Sequence, residues 1–201
     1  MKNFLIKDSK IGIFLDQSKN CIISNNTITG TKALFPSFQA TAGIYIWSGN
    51  LNIVSRNQIT NNYNGIYIGN AEQNVLLEND IRNNTCGVSF WNASKNIAYN
   101  NNFFNNIKQV QNDTNSVNVW DNEKEGNYWT DYAGNDTNRD GIGDTPYIID
   151  EKNQDYYPLM VPFDASSQPE PIPVALLAAG SSASIIAVGA CLIVYFKKHR
   201  Q

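Results

Sequence analysis

The sequence predicts an all-β fold: a parallel β-helix of about 22-residue coils, closed by an aromatic C-terminal cap and followed by one transmembrane α-helix. Three observations predict it. A block recurs as Asn52-Ile53-Val54-Ser55-Arg56-Asn57-Gln58-Ile59, Asn74-Val75-Leu76-Leu77-Glu78-Asn79-Asp80-Ile81 and Asn96-Ile97-Ala98-Tyr99-Asn100-Asn101-Asn102-Phe103. Before each copy stands a glycine-led strand, and Gly43, Gly65 and Gly87 are 22 residues apart, a period that marks a solenoid. Finally, residues 172–196 are apolar or small throughout and carry no charge.

The coils come first, over residues 1–121. Apolar residues at every second position mark strands with one face buried. Coils stacked at the spacing of hydrogen-bonded strands put equivalent residues above one another. Ile44, Ile66 and Val88 then form one inward ladder, and Ile46, Ile68 and Phe90 a second. Val54, Leu76 and Ala98 form a third, and Ile59, Ile81 and Phe103 a fourth. Asn26, Asn57, Asn79 and Asn101 form a polar ladder at a turn, because stacked amides donate and accept along the axis. Residues 1–11 read as the second half of a coil, with no leader of adequate apolar length. The expectation is a chain that continues a longer protein. Gly12 to Gly43 spans 31 residues, not 22, so a loop containing Phe35 and Phe38 emerges there.

The outward side of the glycine-led strands carries Phe14, Tyr45 and Tyr67 in one column, with Trp47 and Trp91 in the next. Two readings stand. Tyr45, Trp47, Tyr67 and Trp91 form a sugar-stacking surface, or the rings pack on one another along the ladder. Arg56 and Glu78 occupy equivalent positions in adjacent coils and form a cross-strand ion pair.

Residues 122–161 change character to aromatic, acidic and turn-rich sequence, read as a cap. Within it, Asp136, Asn138 and Asp140 fall at alternate positions, then Gly141 at the sharp turn, the Ile142 carbonyl, and Asp144. That is EF-hand-type spacing and predicts bound Ca²⁺. Tyr147 replaces the closing Glu, so further oxygens come from Asp131, Asp150 or Asp155. The 22-residue coils together with GNYWTDY, DGIGDTPY and DYYPL resemble the NosD-like family of right-handed parallel β-helix proteins, in particular their archaeal cell-surface relatives. The resemblance covers about residues 3–160. It implies a right-handed solenoid and, for NosD, a link with copper delivery. This chain offers little for copper: its single His is His199, and Cys21 and Cys86 occupy different coil positions.

Residues 162–171 read as a Pro/Ser linker. Residues 172–196 are long enough to cross a membrane core. The basic tail, 197–201, places the C-terminus in the cytoplasm and the β-helix outside. Asn-x-Ser/Thr sequons beginning at Asn25, Asn83, Asn92, Asn112 and Asn135 agree with export. A net charge of −3 gives nucleic acid no electrostatic support. Two function classes follow: a non-catalytic, membrane-anchored module that binds an extracellular glycan or serves the cell envelope, and a polysaccharide lyase, hydrolase or epimerase. An enzyme needs converging carboxylates or a base with a cation. Asp16, Glu72, Glu78, Asp80, Arg56 and Arg82 lie scattered over the coils, which favours binding.

Overall fold

A computed structural model describes residues 1–30 and 41–167. Phe35, Phe38, the predicted transmembrane helix 172–196 and the basic tail 197–201 lie outside the described residues. Among those described, no helix is long and apolar enough to cross a membrane.

The fold is a parallel β-solenoid with three faces. Face 1 stacks Ile11–Asp16, Ala42–Trp47, Asn64–Gly69, Cys86–Trp91 and Lys108–Asn112. Face 2 stacks Ile22–Ser24, Ile53–Ser55, Val75–Leu77 and Ile97–Tyr99. Face 3 stacks Leu5–Lys7, Thr27–Thr29, Gln58–Thr60, Asp80–Arg82, Asn102–Phe104 and Tyr128–Trp129. All pairings within the faces are parallel, and between complete coils the register shift is 22. The described residues leave face 3 after Thr27–Thr29 and re-enter face 1 at Ala42–Trp47.

The corners explain the abundance of Asn. The residue after each face 2 strand is left-handed: Asn25, Arg56, Glu78 and Asn100 have φ of 53–57°. So are Asn61, Asn83 and Asn105 after face 3, and Gln17, Ser48, Asn70 and Asn92 after face 1. Asn tolerates this conformation better than other residues with a Cβ. At the first two corners an inward Asn follows at once, and at the third it comes four residues on. Three Asn columns result. Asn26, Asn57, Asn79, Asn101 and Asn127 form the first; in each of the first four, backbone N and Nδ2 donate to the next Oδ1 at 2.9–3.1 Å. Asn52, Asn74, Asn96 and Asn118 form the second. Asn62, Asn84 and Asn106 form the third.

Between these polar corners the core is dry. Ile44, Ile46, Val54, Ile59, Ile66, Ile68, Leu76, Ile81, Val88 and Phe103 are fully buried. Each such aliphatic or aromatic side chain contributes roughly 1.5–3 kcal/mol by leaving water.

The cap ends the ladders. Trp129 continues the Ile59–Ile81–Phe103 column and is stacked between Phe103 and Tyr147, at 4.3 Å on each side. Trp120 meets Phe90 edge-on at 5.7 Å. An antiparallel pair, Tyr147–Ile148 with Gln154–Asp155, lies beyond. Beyond the cap, Phe163 meets face 3. Asn102 donates through Nδ2 to Phe163 O at 2.9 Å and accepts from Phe163 N at 2.8 Å.

Candidate functional site on the outer surface of face 1

Strand register places Phe14, Tyr45, Tyr67, Ser89 and Gln111 in one outward column. Asp16, Trp47, Gly69 and Trp91 form the next. Phe14 meets Tyr45 edge-on at 5.3 Å, and Tyr45 stacks on Tyr67 at 4.7 Å with 21° between the rings. Trp47 lies over Gly69, where a Cβ would sit 2.5 Å from Trp47 Cζ3. Glycine at 69 is therefore what lets the indole lie this close to the strand of the next coil.

These contacts sort the four predicted ligand residues. Tyr67 is only 5% exposed, with one ring face stacked on Tyr45. Tyr45 and Trp47 are half-buried by the same packing. Trp91, at 49% exposed, keeps a free aromatic surface. Beyond Tyr67 the column changes from aromatic to Ser89 and Gln111, and a groove of about 170 Å³ opens there. Tyr67, Ser89 and Gln111 line it along one column, with Trp91, Asn112 and Asp113 beside them.

The groove has mixed polarity. Ser89 Oγ donates to Asn64 Oδ1 at 2.6 Å. Burial, reinforced by Tyr45 and Asp113, pushes the Tyr67 phenol up to about 12, so it stays a donor. Burial opposes ionisation of Asp113, but hydrogen bonds from Ser116 Oγ and from the amides of Asn92, Asn115 and Ser116 hold it below the usual carboxylate range. Asn112 Oδ1 is buried without a hydrogen-bond partner. Indole, phenol, amide and carboxylate side by side suit a ligand with both hydroxyls and C–H faces. Sequence reading missed Ser89, Gln111 and Asp113, although adding 22 to Tyr67 reaches Ser89 and adding it again reaches Gln111.

Three of the four scattered carboxylates are individually matched. Glu78 accepts from Arg56 Nε at 2.5 Å, Asp80 pairs with Arg82, and Glu72 pairs with Lys95 at 2.9 Å.

The Asp/Asn loop of the cap folds as linked turns. Asp136 accepts from Asp140 N at 3.1 Å and Gly141 N at 3.0 Å. Asn138 Nδ2 donates to Asp140 Oδ2, and Asp140 Oδ1 accepts from Ile142 N. Asp144 Oδ2 accepts from Thr137 Oγ1 and N, which hold this carboxyl below its usual range. Gly141 has φ of 89°. Asp131, Asp150 and Asp155 do not turn toward this loop. They bind Gln109 and Tyr147, Asn112 and Asn153, and Asn127 and Trp129 respectively. Among the described residues, no three His, Cys, Asp or Glu side chains gather to hold a metal.

Comparison with curated proteins gives no match. Comparison with protein families does: residues 1–134 match the family described as periplasmic copper-binding protein (NosD). That span takes in every complete coil and the first strand of the cap, and the chain therefore belongs to the NosD family.

Proposed function

We propose that this chain is a right-handed β-helix module displayed outside the cell membrane, anchored through residues 172–196, which binds carbohydrate without catalysis. The outward location agrees with the periplasmic description of the family. The NosD-like resemblance supports the archaeal cell-surface type and the right-handed winding. The observation that carries the binding role is the groove beside Trp91, where an exposed indole flanks Ser89, Gln111 and Asp113. A binding role also fits the carboxylates of faces 2 and 3, since Glu78, Asp80 and Glu72 are already neutralised by cations.

Copper does not suit the described residues. Cys21 Sγ faces Lys19 O, while Cys86 is buried and its thiol is pushed up, chiefly by burial. Soft-metal sites need converging thiolates, thioethers or imidazoles, and these two thiols sit in different columns. Calcium at Asp136, Asn138, Asp140, Ile142 and Asp144 is the metal proposed here, as a stiffener of the cap.

The binding role is tested on an array of extracellular glycans. The intact protein is expected to be retained by at least one glycan whose retention Trp91→Ala weakens or removes, with an unchanged melting curve. Absence of retention of the intact protein on every glycan sinks the reading.

A further inference from the structure

We infer that a second carbohydrate site, for a neutral sugar chain, lies on face 3 in the groove between the coils and the strap 163–166. The groove measures about 420 Å³, within the range of small-ligand sites. Its floor is the outward column of face 3, Gln58, Asp80 and Asn102, which strand register places directly above one another. Its far wall is the strap, pinned by the two hydrogen bonds between Asn102 and Phe163. Its near edge is the Arg56–Glu78 pair, whose side chains are only 11% and 10% exposed although they stand at a surface corner.

The chemistry of the lining selects the ligand class. Three lining carboxylates, Glu78, Asp80 and Asp164, face one lining guanidinium, Arg56. Arg82 reaches Asp80 from outside, through Nε to Oδ1 at 2.6 Å. The balance is unfavourable to anions such as uronates or phosphates. The carboxylates are also engaged singly, Glu78 and Asp80 by arginines and Asp164 by Ser166 N and Oγ, so they do not gather around a cation. What remains is the exposed planar amide of Gln58 and one aromatic ring, Phe163, which is half-buried at the groove wall. Planar polar groups bind vicinal hydroxyls, and a ring covers the C–H face of a pyranose. Asn102 already shows the grip, donating to and accepting from a single partner at once. Gln58, one column with it and exposed, offers the same pair of groups.

This site shares no lining residue with the groove on face 1 and stands apart from it. The test therefore runs in a Trp91→Ala background, which removes the face 1 platform. The full-length protein is titrated calorimetrically with mannohexaose and cellohexaose as neutral probes and with trigalacturonic acid as the acidic one. At least one neutral probe is expected to bind and the acidic probe not to. Adding Gln58→Ala or Phe163→Ala should each weaken the neutral probe by about tenfold or more, the loss typical of a hydrogen bond or a stacked ring. Gln58 is exposed, so its removal leaves the fold intact even if Phe163→Ala loosens the strap. Neutral binding that disappears with Trp91→Ala alone leaves face 1 standing and overturns the face 3 site. Binding that survives both added substitutions, preference for the acidic probe, or no neutral binding in either background overturns it as well.

Discussion

The coils and the cap treat the same hydrogen bonds in opposite ways. In the coils each Asn amide hands its donors to the next Asn, so every column is polarised in one direction, toward the C-terminal end. In the cap that direction has to stop, and each column is finished by acidic residues. The first ends on Asp155, whose Oδ2 accepts from Asn127 N at 2.7 Å and Trp129 Nε1 at 2.8 Å. The second passes from Asn118 to Asn153, whose Nδ2 donates to both oxygens of Asp150. The third runs from Asn106 to Gln109 and on to Asp131. A repeat can satisfy its interior by translation alone, whereas its end needs groups with acceptors and no donors. Ionised carboxylates have that property.

The comparison is broken most severely inside a column. Asn79 accepts from Asn57 N and Nδ2, donates to Asn101 Oδ1, and ties back to Val54 O at 2.8 Å. Asn79→Leu leaves two buried donors and a carbonyl unpaired. At about 1–3 kcal/mol for each such group, part of it recovered by relaxation, the expected loss is on the order of 3–6 kcal/mol. Urea unfolding measures it, and an unchanged midpoint contradicts the ladder as a source of stability.

A smaller effect separates the end of the column from its interior. Burial pushes Asp155 up to about 6, against hydrogen bonds from Asn127, Trp129 and Tyr157. The folded chain therefore holds this proton more tightly than the unfolded chain does. Its contribution to stability is full below pH 4 and lost as pH rises from about 4 to 6. Roughly two pH units correspond to about 3 kcal/mol. Asp150 acts in the other direction: burial opposes its ionisation, but Asn112, Asn153 and Lys152 hold it below the usual range. Its contribution is present above pH 4 and lost below. Unfolding free energies at pH 4.5 and pH 7 should thus differ in favour of the lower pH, and Asp155→Asn should flatten the difference. Greater stability at pH 7 would show that Asp155 is not the group that dominates this window.

Legibility in the sequence follows the same division. Translation by 22 made the inward ladders, the Asn57–Asn79–Asn101 column and the Arg56–Glu78 pair readable, because each feature is repeated and repetition exposes a role. The Asn52 and Asn62 columns were equally periodic, but Asn52, Asn74 and Asn96 read only as the start of a motif. The left-handed corners that separate strands from columns have no single residue type: Leu51, Arg56 and Glu78 occupy them as well as Asn. On face 1 the aromatic column and the packing of its rings were legible, while the close approach of Trp47 to Gly69 was not. In the cap Asp131, Asp150 and Asp155 each occur once. No period distinguishes a ladder-ending carboxylate from a candidate metal ligand.

The smallest expected effect concerns calcium itself, and the hydrogen bonds of those three carboxylates make it sharper. The loop supplies Asp136, Asn138, Asp140 and Asp144 with the Ile142 carbonyl, while Ca²⁺ takes six to eight oxygens. With Asp131, Asp150 and Asp155 bound to the column ends, water must complete the shell. Affinity should then fall at the weak end for extracellular modules, on the order of 10⁻³ M. The loop's turns favour such a site, because Asp140 N and Gly141 N both donate to the Asp136 carboxylate and fix it before any ion arrives. At 10 mM CaCl₂ a Kd near 1 mM stabilises the folded chain by about 1.4 kcal/mol. The melting temperature should rise by a few degrees over an EGTA control, on the order of 3–6 °C for a domain of this size. Asp136→Ala combined with Asp140→Ala should remove the increment while leaving the Asp155-dependent pH effect in place, because the two carboxylate sets share no hydrogen bond. Identical melting in calcium and EGTA refutes the site. A calcium increment abolished by Asp155→Asn but kept in the loop double variant would instead move the ion to the end of the Asn column.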